Sequence, residues 1–413
     1  MGTHFRIGLD STNGMIRSLM LYLLLFYPLL GSSFIFYRVI ESGLVREIFL
    51  LILTILALFV IISQRKISLF KLLWTTIAFI WMIITVDNMA VAIQYIPYFL
   101  VLWIPLTEDD FAIFKKFILF AAIFCAIGVF FQLLFPSLFR SIVLPQFQNY
   151  QQIDKLETTF NARGSYYGFV NDTSITARYI SFAVAYLVIS LTTERGRNKR
   201  LILPLIGFLI ISLILTGKRT HAGGLIIALI VVYIASAGIT QKFKRILAAI
   251  VLIVVIVLLL PTIANFVNIP GLNRIVVILN VLISENDVIG YRITLYEKAI
   301  AFFKENPIFG IGWRQYRNYV HNFKGYALNV HNIYLQLLCE TGVIGLIFYS
   351  LFFTREYFQT KRGIQNVSVD RTFILMIFFI QVFFLICGIA ENELYDATAF
   401  AYYFIACAFN SVF

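Results

Sequence analysis

An all-α polytopic membrane fold of about twelve transmembrane helices is predicted by three features of this 413-residue sequence. Hydrophobic residues make up 60% of it and charged residues 13%, with a mean hydropathy of +0.87. That is far more apolar surface than one soluble core absorbs. Apolar runs of about 17 to 25 residues recur from residue 15 to the C-terminal end, the length a helix rising about 1.5 Å per residue needs to cross about 30 Å of hydrocarbon. Basic residues, finally, are dense in alternate connections and sparse in the others, the bias that orients a multi-spanning chain.

The runs lie at about 15–37, 44–63, 68–86, 88–106, 112–135, 172–192, 201–216, 221–238, 246–264, 330–353, 372–390 and 394–412. With the N-terminus cytoplasmic, the inner loops carry Arg65, Lys66, Lys71, Lys115, Lys116, Arg195, Arg197, Lys199, Arg200, Lys242, Lys244, Arg245, Arg355, Lys361, Arg362 and Arg371. The short outer loops carry Arg38, Arg46, Lys218 and Arg219. Both termini then lie inside. Residues 1–14 are polar and the first run lacks an A-x-A site, which reads as an uncleaved first span. The net charge of +12 suits this topology and not nucleic acid, because no soluble basic domain is present to hold one. Cys125, Cys339, Cys387 and Cys407 sit inside apolar runs without CxxC spacing, so they read as small buried hydrophobes and indicate neither a disulfide framework nor a metal site.

The chain therefore reads as one integral membrane domain, 1–413, with two long outer segments, 136–171 and 265–330. Loops of that length are functional or hold helices of their own. In the second, residues 292–306 (RITLYEKAIAFFKEN) place Ile293, Ala299, Ile300 and Phe303 on one stripe of an amphipathic helix. Pro307 and the glycines of FGIGW, Gly310 and Gly312, end it.

Polar residues of chemical interest gather at the outer ends of the later spans. In ILTGKRTHAGGL, Gly217 makes a turn and Lys218 and Arg219 occupy a short hairpin between runs that are brief for a full crossing. Cations held below the membrane surface are costly unless paired, by about 2.5–3.5 kcal/mol at mid-membrane and less near its edge. Two readings stay open: interface anchors that snorkel, or a site for an anion. His331 opens the span VHNIYLQLLCETGVIGLIFY. A neutral imidazole at a cavity mouth takes a proton from a hydroxyl near neutral pH, but a polar residue capping a helix looks the same. Glu340, about 13 Å deeper at about 1.5 Å per residue, reads as a hydrogen-bonded packing residue, and Gly342 and Gly345 as points of close helix approach.

The stretch GYRITLYEKAIAFFKENPIFGIGW followed by VHNIYLQLLCETGVIG, with TGKRT upstream, resembles the signature half of the O-antigen ligase and O-antigen polymerase superfamily. The likeness covers about 201–349. It implies a GT-C type glycosyltransferase in the bacterial cytoplasmic membrane, with its active site facing the periplasm or the outside and an undecaprenyl-diphosphate-linked oligosaccharide as donor. By motif, Arg219 and Arg292 would hold the diphosphate and His331 would be the base, with inversion at the anomeric carbon and no metal or other cofactor. The sequence departs from the pattern in having Lys218 before the arginine and His221 two residues after it; Lys218 would join the diphosphate site and His221 would line the cavity. Further candidates are Lys155, Arg163 and Arg178 near the first long loop and Glu391, Asn392 and Tyr395 in the turn ENELYD, which read as solvated or structural residues, with Glu391 alternatively lining the cavity; the Tyr150 region, QFQNYQQ, reads either as a sugar contact or as ordinary loop composition. His321 is a second candidate for the base, and His4 has no assigned role.

A polysaccharide polymerase, joining lipid-linked repeat units into O-antigen, capsule or exopolysaccharide, with a chain-length regulator as a candidate partner, is the leading expectation. A ligase acting on a lipid A core sugar or a protein is its rival, because the shared motifs describe only the donor side. A transporter of lipid-linked sugars would instead show related halves or discontinuous spans with charges in corresponding places.

Overall fold

The computed structural model describes the chain apart from residues 1–2, 42, 65–67, 87–91, 148–149, 162–163, 195–198, 238–240, 242–243, 245–287, 322–326, 366–368 and 413. The described residues are helical, with isolated antiparallel bridges at Ser33–Val170 and His321–Ala327 in place of any strand. The principal helices are α1 (Thr3–Ser32), α2 (Leu44–Gln64), α3 (Leu69–Thr85), α4 (Glu108–Leu134), α5 (Tyr150–Asn161), α6 (Thr173–Thr193), α7 (Lys199–Leu215), α8 (Arg219–Ala235), α9 (Val288–Glu305), α10 (Ile333–Gly363), α11 (Arg371–Cys387) and α12 (Ala397–Ala408). Gly14–Ser32, Leu44–Ser63, α4, α6 and α10 are long and apolar enough to cross a membrane; α3, Arg200–Leu215, α8 and α11 are shorter apolar helices. The protein is an integral membrane protein.

Helix α6 is the axis of the bundle and touches α4, α7, α8 and α11. Its sequence explains the position: Ala177, Ser181, Ala183 and Ala185 are buried, and small side chains let helices approach where lipid offers no hydrophobic gain. Asp172 caps it, accepting from Ser174 N–H at 2.7 Å. Peripheral helices instead turn large apolar side chains outward, as with Leu51, Ile55 and Ile62 of α2. Helix α4 opens on a capping box between Thr107 and Asp110, and Arg17 of α1 closes on Asp110 at 2.9 Å.

Several expectations change. The described part of the run at 88–106, residues 92–106, holds the short helix Ile96–Val101, with Pro97 in its first turn, and Tyr98, Phe99 and Val101 are buried against the core rather than facing lipid. The run at 246–264 and the start of the second long segment lie outside the described residues. The first helix starts well before residue 15. Lys71, counted among the inner-loop charges, is buried, donating to the carbonyl of Cys407 at 2.5 Å and lying 3.6 Å from Glu356. The amphipathic helix forms four residues earlier than its predicted start, and its buried stripe runs through Leu295 and Ala299, while Ile293 and Ile300 are exposed.

Helix α10 is broken at Gly342, whose φ is 65°. The break leaves backbone groups of residues 339–344 open, and no exposed backbone group persists within hydrocarbon without a partner. Residues 307–312 supply the partners. Ile311 and Gly312 N–H donate to the carbonyls of Cys339 and Glu340, each at 2.9 Å, and Val343 N–H donates to the carbonyl of Pro307 at 2.9 Å. Gly342 thus admits a loop, not a neighbouring helix as expected, and Gly345 faces the Thr341 side chain of its own helix. A Cβ on Gly342 would lie 2.2 Å from the carbonyl oxygen of Ile308, and one on Gly310 would lie 2.3 Å from the backbone of Glu340. Gly342→Ala is therefore expected to destabilise by about 1–3 kcal/mol or more, read as a lower unfolding midpoint of the purified protein. A wild-type midpoint would show that the break tolerates a side chain.

Candidate functional site

The hairpin between α7 and α8, the start of α9, the start of α10 and the turn after α11 meet at one end of the bundle. Gly217 turns the hairpin with φ 66°, which places Lys218 just ahead of the first residue of α8, Arg219. Lys218 Nζ lies 3.5 Å from Glu391 Oε1, and the other oxygen of Glu391 lies 3.8 Å from His331 Nδ1. The carboxylate thus bridges the cationic hairpin and the histidine. Burial alone would drive Lys218 toward its neutral form, but Glu391 and Asp172 more than offset it and hold the ammonium above its usual range. Burial likewise opposes ionisation of Glu391, and Lys218 and His331 outweigh it, so the carboxyl sits well below the ordinary carboxylate range.

His331 has a left-handed backbone, φ 59°, a conformation that costs a non-glycine residue about 1–3 kcal/mol and persists only where its surroundings enforce it. Asn392 provides that enforcement. Its Oδ1 accepts the His331 backbone N–H at 2.8 Å, and its Nδ2 lies 3.1 Å from the ring Nδ1. Asn332 then caps α10 through the N–H groups of Tyr334 and Leu335, both at 3.0 Å, and Ile333 N–H donates to the carbonyl of Gly388 at 2.8 Å. Nδ1 faces both a donor amide and an acceptor carboxylate, so the tautomer depends on which one it engages. The side chain is 36% exposed and open to a substrate.

Arg219 and Arg292 are both half-buried, and the positive charge of Arg292 acts on Arg219. Two guanidiniums held within range of each other repel, an arrangement an anion between them relieves.

The turn itself is anchored from below. Arg178, fully buried in α6, donates to Glu393 Oε2 and Asp396 Oδ1, each at 3.0 Å. One cation faces two carboxylates; burial first, with Asp396, pushes Glu393 up to about 7 against the pull of Arg178. His221 is buried in α8 with Nε2 3.5 Å from Glu393 Oε1, so it belongs to this anchor and does not line an open cavity as expected. Tyr395 packs on Trp313 and donates its hydroxyl to Glu340. Glu340 also accepts the N–H groups of Arg314 at 2.8 Å and Tyr316 at 3.1 Å, the packing role expected of it.

The predicted residues Lys218, Arg219, Arg292, His331 and Glu391 are therefore brought together. His321 is exposed in its bridge with Ala327, and no contact joins it to His331 among the described residues. Lys155 pairs with Asp172 at 3.2 Å, and Arg163 and the side chain of Tyr150 lie outside the described residues. Among those residues no group of three metal-ligating side chains forms. The grip of Asn392 and the anchoring role of Arg178 had no signature in the sequence beyond their polarity in apolar surroundings.

Residues 204–350 match the family model described as O-antigen ligase. This part of the chain is similar to the O-antigen ligase family. No curated protein matches the chain. The O-antigen ligase match takes in the cationic hairpin, Arg292, the loop that fills the break in α10, and His331. It leaves out the turn carrying Glu391 and Asn392, which the fold folds back onto that histidine.

Proposed function

We propose that the protein is a GT-C type glycosyltransferase of the bacterial cytoplasmic membrane, with both termini inside, that polymerises undecaprenyl-diphosphate-linked repeat units on the outer side. The observation that carries this reading is the pairing of two mutually repelling arginines with a clamped, accessible histidine in the family-matched half of the chain.

Arg219 and Arg292, helped by Lys218, hold the donor diphosphate. As the glycosidic C–O bond breaks, its electrons pass to the diphosphate oxygen, and the guanidiniums stabilise that growing charge more than they do the ground state. Each charge-assisted hydrogen bond contributes about 1.5–3 kcal/mol, so the pair does the work of a metal and none is required. The acceptor hydroxyl attacks the anomeric carbon from the opposite face, which inverts it, and its proton passes to His331 Nε2. For Nε2 to be free, Nδ1 must carry its own proton and direct it to Glu391. Glu391, ionised throughout the neutral range, is thereby the group that orients the base. A chain-length regulator would act from outside this site.

The description of the matched family favours a second reading, a ligase that moves the finished glycan to a lipid A core sugar or a protein. A transporter is less well supported: the break in α10 is closed by residues 307–312, whose N–H and carbonyl groups pair with its open backbone. Incubating the purified protein with a lipid-diphosphate repeat unit alone, with EDTA present, and sizing the lipid-linked products decides among them. A ladder of multiples is expected. No product without a separate acceptor would turn the reading to the ligase, and dependence on an added divalent ion would overturn the metal-free step.

A further inference from the structure

Asn392 touches His331 twice, and the two contacts together fix which ring nitrogen carries the proton. The His331 backbone N–H can only donate, so the amide atom 2.8 Å from it is the oxygen, Oδ1. The amine end of the same amide then lies 3.1 Å from Nδ1, within hydrogen-bond reach. An amine also only donates. Nδ1 must therefore accept, and a neutral ring that accepts at Nδ1 carries its proton on Nε2. In that tautomer Nε2 has no lone pair for the proton of an attacking hydroxyl.

The other partner of Nδ1 stands out of reach. Glu391 Oε2 is 3.8 Å away, beyond the limit of about 3.2 Å for a hydrogen bond, while Oε1 of the same carboxylate faces Lys218 Nζ at 3.5 Å. Both side chains are mostly enclosed, 13% and 26% exposed, so salt screens their attraction little. Asp172 adds negative charge around Lys218 from the cap of α6 and is itself paired with Lys155. One carboxylate is thus shared between two claimants on different elements, the hairpin ahead of α8 and the start of α10.

We propose that Asn392 is a positioning residue that holds His331 in its Nε2–H tautomer while Lys218 engages Glu391, and that the donor diphosphate, by drawing Lys218 away, frees the carboxylate to switch the ring to the Nδ1–H tautomer. The inference rests on the reading of Lys218 as a diphosphate ligand and His331 as the base. A carboxylate removed from water is costly once it loses its counterion. Closing on Nδ1 by about 1 Å, from 3.8 Å to the length of a charge-assisted hydrogen bond, gives it a new partner. One proton leaves Nε2 for solvent and one enters at Nδ1, so no net charge is transferred. The amine of Asn392 turns from the ring to water, and Oδ1 keeps the backbone N–H. Base and donor are thereby coupled, because Nε2 can take a proton from a hydroxyl only once the diphosphate is seated.

The test is the nitrogen NMR spectrum of protein carrying isotope-labelled histidine in nanodiscs, where protonated and bare ring nitrogens resonate far apart. The His331 signals are those missing from His331→Ala. Without added lipid, wild type should carry the proton on Nε2; with undecaprenyl diphosphate bound, as counted by native mass spectrometry, it should carry it on Nδ1. Glu391→Ala should keep it on Nε2 in both samples, and Lys218→Met should keep it on Nδ1 in both. Asn392→Asp, which has the same shape but accepts at both oxygens, should also hold it on Nδ1 throughout, a change that a merely structural Asn392 would not produce. Wild type with Nδ1–H before lipid is added, a tautomer unchanged by bound lipid, or a lipid-dependent switch persisting in Asn392→Asp would each overturn the proposal. The two readings fail separately: a switching tautomer with polymer growth intact in His331→Ala removes the base and leaves the coupling, whereas loss of growth in that variant with a fixed tautomer in wild type removes only the switch.

Discussion

Replacing Arg219, Arg292 or His331 by alanine is expected to abolish polymer formation while leaving the protein in the membrane at normal abundance. None of the three holds the bundle together: the two arginines are half-buried at its end and His331 is accessible. Loss of His331 should cost about 10²–10⁴-fold in rate, the range for a positioned base. Loss of either arginine should cost about 10²–10³-fold, because each aims donors at charge that develops only as the diphosphate leaves. Arg292→Lys should recover little, since an ammonium presents a point charge where the diphosphate meets a planar fork. The measurement is the initial rate of chain growth per mole of purified protein. Near-normal activity in Arg292→Lys would refute bidentate recognition, and loss of abundance in all three variants would show that they are structural.

Arg178→Ala should behave in the opposite way, losing the protein before the chemistry. The guanidinium is enclosed between Glu393 and Asp396 at 3.0 Å each, and deleting one partner of a buried ion pair costs about 3–5 kcal/mol because the remaining charge has no counterion. The unfolding midpoint of the purified variant should fall and its abundance in membranes with it. Arg178→Met/Glu393→Gln should restore part of the loss, because it removes charge from both sides; equal instability in single and double variants would point to packing instead. The pH dependence has a definite sign. Burial raises Glu393 above its ordinary value to about 7, so the folded protein holds that proton at pH values where the unfolded chain has released it. The associated stability is complete below the ordinary glutamate range and is lost as pH rises toward 7, and Glu393→Gln should flatten that slope.

The distance between those two predictions shows how unevenly the site was written in the chain. Arg219, Arg292 and His331 were legible because each sits at a motif: a glycine turn, the head of an amphipathic helix, the opening of a span. Glu391 was legible only as an acid at a tight turn, and its bridge between Lys218 and His331 joins residues far apart in sequence. His221, close to Arg219 in sequence, was expected to line the cavity. Helical geometry turned it instead into the core beside Glu393. Gly342 and Gly345 matched a spacing that serves helix contacts, but a glycine pattern does not say what approaches it: a loop meets Gly342, and the Thr341 side chain of the same helix lies over Gly345.

Periodic hydrophobicity, the basic bias of alternate loops and the length of the apolar runs were enough by themselves to determine a multi-spanning helical membrane protein, because the bilayer demands apolar length and a satisfied backbone from each span locally. The family likeness of residues 204–350 was equally a property of local motifs. Tertiary structure alone decided that the described part of the run at 88–106 is a buried, broken segment, that residues 307–312 complete the backbone of α10, and that Arg178 and Asn392 hold the histidine in place. Those outcomes depend on which buried polar groups find partners across the bundle, and a low-dielectric interior makes that pairing decisive without leaving any periodic trace in the sequence.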